Sequence, residues 1–192
     1  MVQNVSARSW VAQLQLQFTV KISTQDFSRG DLRIRMSIGD IVELRRNSRS
    51  WVEVVEEIVR MEKKIFPKHE SLARSFDEEL KKKNCGLLYY DVNGDVAGYV
   101  MYSWPSSLSA SITKLAVKEN YRRQGVGEAL LKGAIQKCQT RNVQCISLHV
   151  DPLRTPAVTL YKKFGFEVDD LIQGYYSPER DAYRMHLPVN AG

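Results

Sequence analysis

A chain of 192 residues is long enough for one domain with a sizeable core and a tail. Its hydrophobic content of 43% is ordinary for a soluble globular protein, and no apolar run approaches the roughly 18 residues of a membrane-crossing helix, so no such span and no membrane partner are expected. The net charge of +6 and pI near 9.2 raise nucleic-acid binding, but the basic runs Arg45-Arg46-Asn47-Ser48-Arg49 and Lys81-Lys82-Lys83 carry no interleaved aromatic residues for base stacking and read better as solvated surface.

Residues 1–30 are rich in Ser, Thr and Gln, with Asp26 as their acid and Arg8, Lys21 and Arg29 as their bases. They read as a flexible extension, with an organellar transit peptide as the alternative, and they lack the apolar centre of a secretory signal. Residues 31–189 read as one domain. Leu32, Ile34, Met36 and Ile38 alternate at period two and predict a first strand over 32–38. Val54, Val55, Ile58, Met61 and Ile65 share one face of a helix over 51–65, stopped by Phe66-Pro67. A second helix is expected over 71–82.

Strands over 86–92 and 96–103 flank Asn93-Gly94-Asp95, a strong hairpin signal. A strand over 109–117 leads to a helix whose core stripe is Val126, Ala129, Leu130, Gly133, Ala134 and Cys138. A strand over 144–150 follows. The helix over 155–164 turns Ala157, Leu160, Tyr161 and Phe164 to one side and ends at Gly165. Strands over 168–176 and 181–189 enclose Ser177-Pro178-Glu179-Arg180. The pattern is an α/β fold with a mixed, mainly antiparallel sheet flanked by helices.

Cys85, Cys138 and Cys145 are odd in number and form no Cys-x-x-Cys, which predicts a reduced, intracellular protein. The cytoplasm is the expected compartment, with the nucleus, or an organelle entered through residues 1–30, as alternatives. His69, His149 and His186 are too dispersed for a metal-ligand pattern, so no metal is expected.

The most informative stretch runs from Leu115-Ala116-Val117, the end of an apolar strand, to Arg122-Arg123-Gln124-Gly125-Val126-Gly127-Glu128. The first amides of a helix lack partners within it, and with the macrodipole they form an anion site. Gly125 and Gly127 remove the Cβ atoms that would hold a diphosphate away, and Arg122 and Arg123 supply cations. A dinucleotide-binding turn is the competing reading. It needs a third small residue, where Leu130 stands, and an acid about 20 positions on, where none precedes Asp151.

This Arg-x-x-Gly-x-Gly turn resembles the acetyl-CoA pyrophosphate loop of the GCN5-related N-acetyltransferase (GNAT) superfamily. With Ala157-x-x-Leu160-Tyr161-x-x-Phe164-Gly165-Phe166, the resemblance extends over about 32–189. It implies a sheet whose two central strands splay around CoA, and direct transfer of an acetyl group from acetyl-CoA to an amine. Ile112-Thr113-Lys114-Leu115-Ala116-Val117, Ser147-Leu148-His149-Val150, Phe66-Pro67, and Tyr175-Tyr176 with Asp181-Ala182-Tyr183-Arg184-Met185 resemble the protein N-terminal acetyltransferase catalytic subunits. The implied substrate is the α-amine of a peptide or protein N-terminus, with an auxiliary subunit or the ribosome as partner. The alternatives are a small amine (serotonin-like arylalkylamine or polyamine) or a lysine. A catalytically silent module binding nucleic acid or ribosome is the different-class alternative, and intact Arg122, Gly125 and Gly127 argue against it. Arg154 stands where many members place a CoA-contacting asparagine, and Ser111 where one subgroup has a catalytic tyrosine.

An α-amine with a pKa near 8 is largely protonated at neutral pH, so acetyl transfer needs a base. His149 shares the more polar face of its strand with Cys145 and Ser147, and it reads either as that base or as a histidine bonded to a neighbour. The resemblance places Tyr161 near the CoA sulfur as the acid, while helix packing explains the same residue. The side chains of Leu115, Ala116 and Val117 are ordinary, but the resemblance turns backbone of this segment to the thioester oxygen. Phe66, Pro67, Tyr175 and Tyr176 read either as an aromatic mouth for substrate or as packing between loop and hairpin. Adjacent tyrosines point to opposite faces of a regular strand unless a bulge releases both. Cys145 has no paired base and reads as packing rather than as an acyl-carrying nucleophile.

Overall fold

The structure, a computed structural model, describes residues 39–189 apart from Asn47 and Arg49. The expectations for the extension and for a strand over 32–38 lie outside the described residues. The first described element is instead β1 (Asp40–Glu43), four residues too short to show a period in sequence. It is followed by α1 (Trp51–Ile65), a 3₁₀ turn (Leu72–Arg74), α2 (Phe76–Lys81), β2 (Cys85–Val92) and β3 (Asp95–Ser103). Then come β4 (Ser109–Val117), a 3₁₀ turn (Glu119–Tyr121), α3 (Val126–Gln139), β5 (Cys145–Val150), α4 (Thr155–Lys163), β6 (Glu167–Ser177) and β7 (Arg180–Pro188).

The seven strands form one sheet in the order β1-β2-β3-β4-β5-β7-β6. Only β4 and β5 run parallel; every other neighbouring pair is antiparallel. Helix α3 packs Val126, Leu130, Leu131, Ala134, Ile135 and Cys138 on one face, against Leu88, Val100, Ile112 and Leu148. Its contact is rotated from the predicted stripe: Leu131 and Ile135 are buried, while Ala129 and Gly133 are only half-buried. Helices α1 and α2 cover the other face, over Leu87, Tyr89, Tyr99 and Met101. Strand β3 is thus buried on both sides, which is why its sequence is a continuous apolar run. The hairpin between β2 and β3 turns at Asn93 and Gly94, both at positive φ (54° and 89°), as Asn-Gly foretells.

The helix expected over 71–82 is broken at Ser75. Its first turn is claimed from outside: the Glu62 carboxylate accepts the Leu72 N–H at 2.6 Å, and the Ser71 hydroxyl accepts the Ala73 N–H at 3.2 Å. The turn tightens to an i to i+3 bond, Ser75 N–H to the Leu72 carbonyl, before α2 begins.

Two details of β4 open the sheet at its centre. Its parallel pairing with β5 runs only from Ser109↔Cys145 to Ile112↔Leu148, although both strands continue. On its other side, Met101 faces Lys114 and Tyr102 faces Ile112, so Thr113 is an extra, bulged residue. A bulge bends its strand and increases local twist. Beyond Thr113, β4 stays on β3 and β5 stays on β7, and the two central strands part.

Glu62 is fully buried at the base of this arrangement and also accepts a hydrogen bond from the Tyr99 hydroxyl. Burial, then the Glu62 charge, hold that phenol well above its ordinary pKa, so it remains a donor. Replacing Glu62 with Ala strands the Tyr99 hydroxyl and the Leu72 amide; a loss of about 2–4 kcal/mol is expected, since each buried unsatisfied group costs about 1–3 kcal/mol. Thermal unfolding should show Tm reduced by roughly 5–12 °C. An unchanged Tm would mean that water replaces both bonds.

Candidate active site

The end of β4 leads through the 3₁₀ turn into the basic turn and the start of α3. Gly125 caps α3 at φ 83°, a left-handed conformation that side-chain-bearing residues rarely adopt, and no side chain caps the helix. Arg123 is also left-handed at φ 61°. The first helical bond joins the Ala129 N–H to the Gly125 carbonyl at 2.9 Å, so the N–H groups of Val126, Gly127 and Glu128 have no acceptor within the helix. No atom lies within 4 Å of where a Gly125 Cβ would stand, and one on Gly127 would meet only Leu160 and Val117, each at 3.6 Å. Open space in front of unpartnered amides, with two arginines beside it, fits the diphosphate of CoA. The Arg122 Nε donates to the Val117 carbonyl at 3.2 Å, the Gln124 amide to the Asn120 carbonyl at 2.7 Å, and Glu128 pairs with Lys163 at 2.7 Å.

Where β4 and β5 part, a cavity of about 400 Å³ opens. Its lining brings together Phe66, Leu115, His149, Arg154, Tyr161, Tyr175 and Tyr176, all singled out from sequence. Lys118 N–H bonds the Ala97 carbonyl of β3, so by alternation Ala116 and Lys114 face β3 while the backbone groups of Leu115 and Val117 face the gap. The side chains of Ile146, Leu148 and Val150 are buried and those of Cys145, Ser147 and His149 lie on the more open face, as the alternation predicts. His149 stacks on Tyr175, with ring centroids 4.6 Å apart and planes 10° from parallel.

Both adjacent tyrosines reach the cavity because β6 is irregular. Between Ile172↔Ala182 and Ser177↔Arg180, four residues of β6 face one of β7. Gly174 makes the required turn at φ 62°, and its N–H donates to the Asp181 carboxylate at 2.9 Å. Tyr176 then meets Tyr175 edge to face at 4.9 Å.

A charged cluster ties the cavity walls together. Glu70, from the segment after α1, accepts from Arg154 at 3.0 Å and pairs with Arg180 of β7. Arg180 also donates twice to Asp151, at 2.6 and 3.0 Å, and lies 5.2 Å from the Tyr176 ring. The Lys114 ammonium donates to the Glu70 carbonyl at 2.6 Å and sits 3.8 Å from the Phe66 ring centre. Sequence reasoning missed Glu70, Lys114, Asp151 and Arg180. Their partners lie up to 110 residues away, and no local pattern links them.

Burial, then the nearby Arg184 charge, push the His149 imidazole below its usual pKa, leaving it neutral and proton-accepting at neutral pH. Burial raises the Tyr161 phenol beyond its usual range, with a further contribution from Tyr176, so it holds its proton. Tyr176 is pushed up to about 12, chiefly by burial and then by Tyr175. Burial lowers the Lys114 ammonium. For Asp151 burial alone would raise the carboxyl, but hydrogen bonds from Arg180 and the Leu153 N–H outweigh it and bring it below its ordinary value.

Not every candidate lines the cavity. Pro67 does not; its carbonyl accepts from the Glu70 and Ser71 amides and shapes the loop behind Phe66. Arg122, Arg123, Gln124, Gly125, Val126, Gly127 and Glu128 belong to the basic turn and the start of α3, and Ala116 is packed beneath α1. Arg154 caps α4 and turns its guanidinium to Glu70 and to the Phe66 ring. Ser111 lines the cavity, whereas Cys145 does not and is paired to Pro188 in the sheet.

The profile of the Acetyltransferase (GNAT) family matches residues 51–166. An N-alpha-acetyltransferase of Sulfolobus acidocaldarius is 32% identical over 147 residues, which make up 70% of this chain and 87% of that protein. The crystal structure of Ard1 from Thermoplasma volcanium superposes with a TM-score of 0.68 at 28% identity, over 79% of this chain and 98% of that one. That of Arabidopsis thaliana NAA60 in complex with acetyl-CoA gives a TM-score of 0.67 at 18% identity, over 80% and 100%, a likeness of fold.

Two substitutions probe the phosphate turn. Gly125→Ala puts a Cβ into a left-handed position, at about 1–2 kcal/mol of backbone strain, and crowds the open amides. Arg122→Ala removes a phosphate cation. Calorimetric titration should show CoA affinity lowered about tenfold or more in each variant, with folding retained by circular dichroism. Wild-type affinity in both folded variants would remove the diphosphate from this turn.

Proposed function

The chain belongs to the GNAT acetyltransferase family and is an acetyl-CoA-dependent acetyltransferase; from that premise we propose that its acceptor is the α-amine of a peptide or protein N-terminus. The observation that carries this reading is the cavity at the strand split. There a neutral histidine, a protonated tyrosine and strand backbone meet behind aromatic walls supplied by the loop after α1 and the irregular end of β6. Relatives named N-alpha-acetyltransferase at about 30% identity support the same acceptor class.

Bound acetyl-CoA supplies an acetyl group activated as a thioester. The amides of Val126, Gly127 and Glu128, with Arg122 and Arg123, hold the diphosphate. An amide of Leu115 or Val117, facing the gap, stabilises negative charge as it develops on the carbonyl oxygen. His149 takes a proton from the substrate ammonium, directly or through a water, so that the neutral amine attacks the thioester carbon, and Tyr175 holds the His149 ring by stacking. Tyr161 gives its proton to the departing thiolate. Phe66, Tyr175 and Tyr176 enclose the first residue of the peptide and exclude water.

The pH dependence follows from the signs. His149 acts in its neutral form and its pKa lies below 6.5, so kcat should fall only as pH drops through that lowered value. Arg184→Gln removes a charge that disfavours imidazolium, which should move the acidic limb to higher pH. His149→Ala should lower kcat by about 100-fold and abolish that limb. Tyr161→Phe should lower kcat while CoA still binds. A His149→Ala enzyme with the wild-type rate and pH profile would exclude this base.

Acceptor class is decided by competition. Peptides with free N-termini should show higher kcat/KM than matched α-blocked peptides carrying a lysine, and than arylalkylamines or polyamines. Blocking the α-amine of a good substrate should remove most of its acetylation, and Tyr176→Ala should raise KM for peptide more than for acetyl-CoA. If a blocked lysine peptide or a serotonin-like amine is the better substrate, the enzyme acts on that amine instead.

A further inference from the structure

A second cavity, of about 230 Å³, shares the Phe66 wall with the first. Its other lining residues are Lys63, Lys68, Ser71, Ala73 and Arg74. It therefore presents three cations and no carboxylate, beside the wall that Phe66 gives the main cavity.

The charge comes from segregation within one short segment. Between positions 62 and 74 the acids are Glu62 and Glu70. Both turn inward and are satisfied there, Glu62 by Tyr99 and Leu72, Glu70 by Arg154 and Arg180. The bases stay outside: Lys63, Lys68 and Arg74 are exposed, and no carboxylate among the described residues lies within salt-bridge distance of any of them. The Ser71 hydroxyl accepts from the Ala73 N–H, which leaves its own proton to donate. Unpaired cations, a hydroxyl donor and a preformed hollow are complementary to a carboxylate.

We infer that this cavity is a subsite for an acidic side chain, Asp or Glu, that follows the first residues of the acceptor peptide. The inference rests on the peptide reading of the main cavity. With the α-amine at His149 and Leu115, an extended chain leaving past Phe66 carries its later side chains to Lys63, Lys68 and Arg74 at about 3.3 Å per residue. Exposed ion pairs are individually weak and screened by salt. The subsite ranks substrates rather than permitting only one.

The test uses the full chain and peptides that share their first two residues and a free α-amine, with Asp, Ala or Lys placed in turn at the third to sixth positions. At one or more positions Asp should exceed Ala by about fivefold in kcat/KM, mainly through KM, and Lys should fall below Ala. The ranking should flatten with added salt. Lys68→Glu with Arg74→Glu, checked for folding by circular dichroism, should reverse it while acetylation of the Ala peptides stays within about twofold. Acetylation of all the peptides with no ranking by charge would overturn the subsite and leave the α-amine reading intact. The subsite is equally overturned if the double variant keeps the wild-type ranking, or if RNA inhibits through these cations while the peptides remain unranked. Turnover of lysine or small amines alone would overturn both.

Discussion

The chemistry of this molecule depends on where one strand pair stops. Strands β4 and β5 are held together over four residue pairs and then released, while each keeps its outer neighbour. Backbone groups of Leu115 and the Val117 N–H are thereby left without a strand partner on the gap side, while the Val117 carbonyl takes the Arg122 guanidinium instead. An interior strand normally spends those groups on its neighbour. Here they face the cavity, and the same opening exposes the His149 side of β5.

The parting needs mechanical support, because a sheet opened at its centre has lost part of its own stabilisation. The Thr113 bulge gives β4 a bend without breaking its ladder to β3. On one face α3 lies against β3 and β4, in one apolar cluster with Ile112 of β4 and Leu148 of β5. Opposite, α1 is anchored to β3 through Glu62 and Tyr99, and to the end of β4 through Glu57 and Lys118. The gap is thus a framed opening.

Electrostatics fixes the walls around that frame. The loop after α1, the start of α4 with the turn before it, and the β6–β7 hairpin each contribute charges to one cluster of Glu70, Arg154, Asp151 and Arg180. The Glu70 and Asp151 side chains are almost entirely buried, so each guanidinium answers a carboxylate that would otherwise be stranded. The aromatic walls ride on these pairs: Phe66 lies beneath Lys114 and Arg154, and Tyr176 beside Arg180. Using the acids inward also leaves the outer surface of the same loop basic. One sequence segment thereby yields both a braced wall and a cationic rim.

Features encoded by neighbouring residues were legible in the chain itself. The helix from Trp51 to Ile65 follows from the spacing of its apolar residues and the stop at Phe66-Pro67, and the hairpin turn from Asn93-Gly94. The left-handed, uncapped start of α3 follows from Gly125, and the open face of His149 from simple alternation along β5. Other features were decided only by the folded chain. The break at Ser75 arises in a first turn that closes tightly, the Ser75 N–H on the Leu72 carbonyl, while Glu62 of α1 holds the Leu72 amide. The bulge of Gln173-Gly174-Tyr175-Tyr176, which brings both tyrosines to the cavity, depends on registry with β7. The Glu70–Arg180 pair joins residues 110 apart, and the release of β4 from β5 depends on a bulge against a third strand. Periodicity, capping and turn chemistry act over a few residues and are written locally; register, bulges and buried ion pairs are set by whichever distant groups the packed core brings within bonding distance.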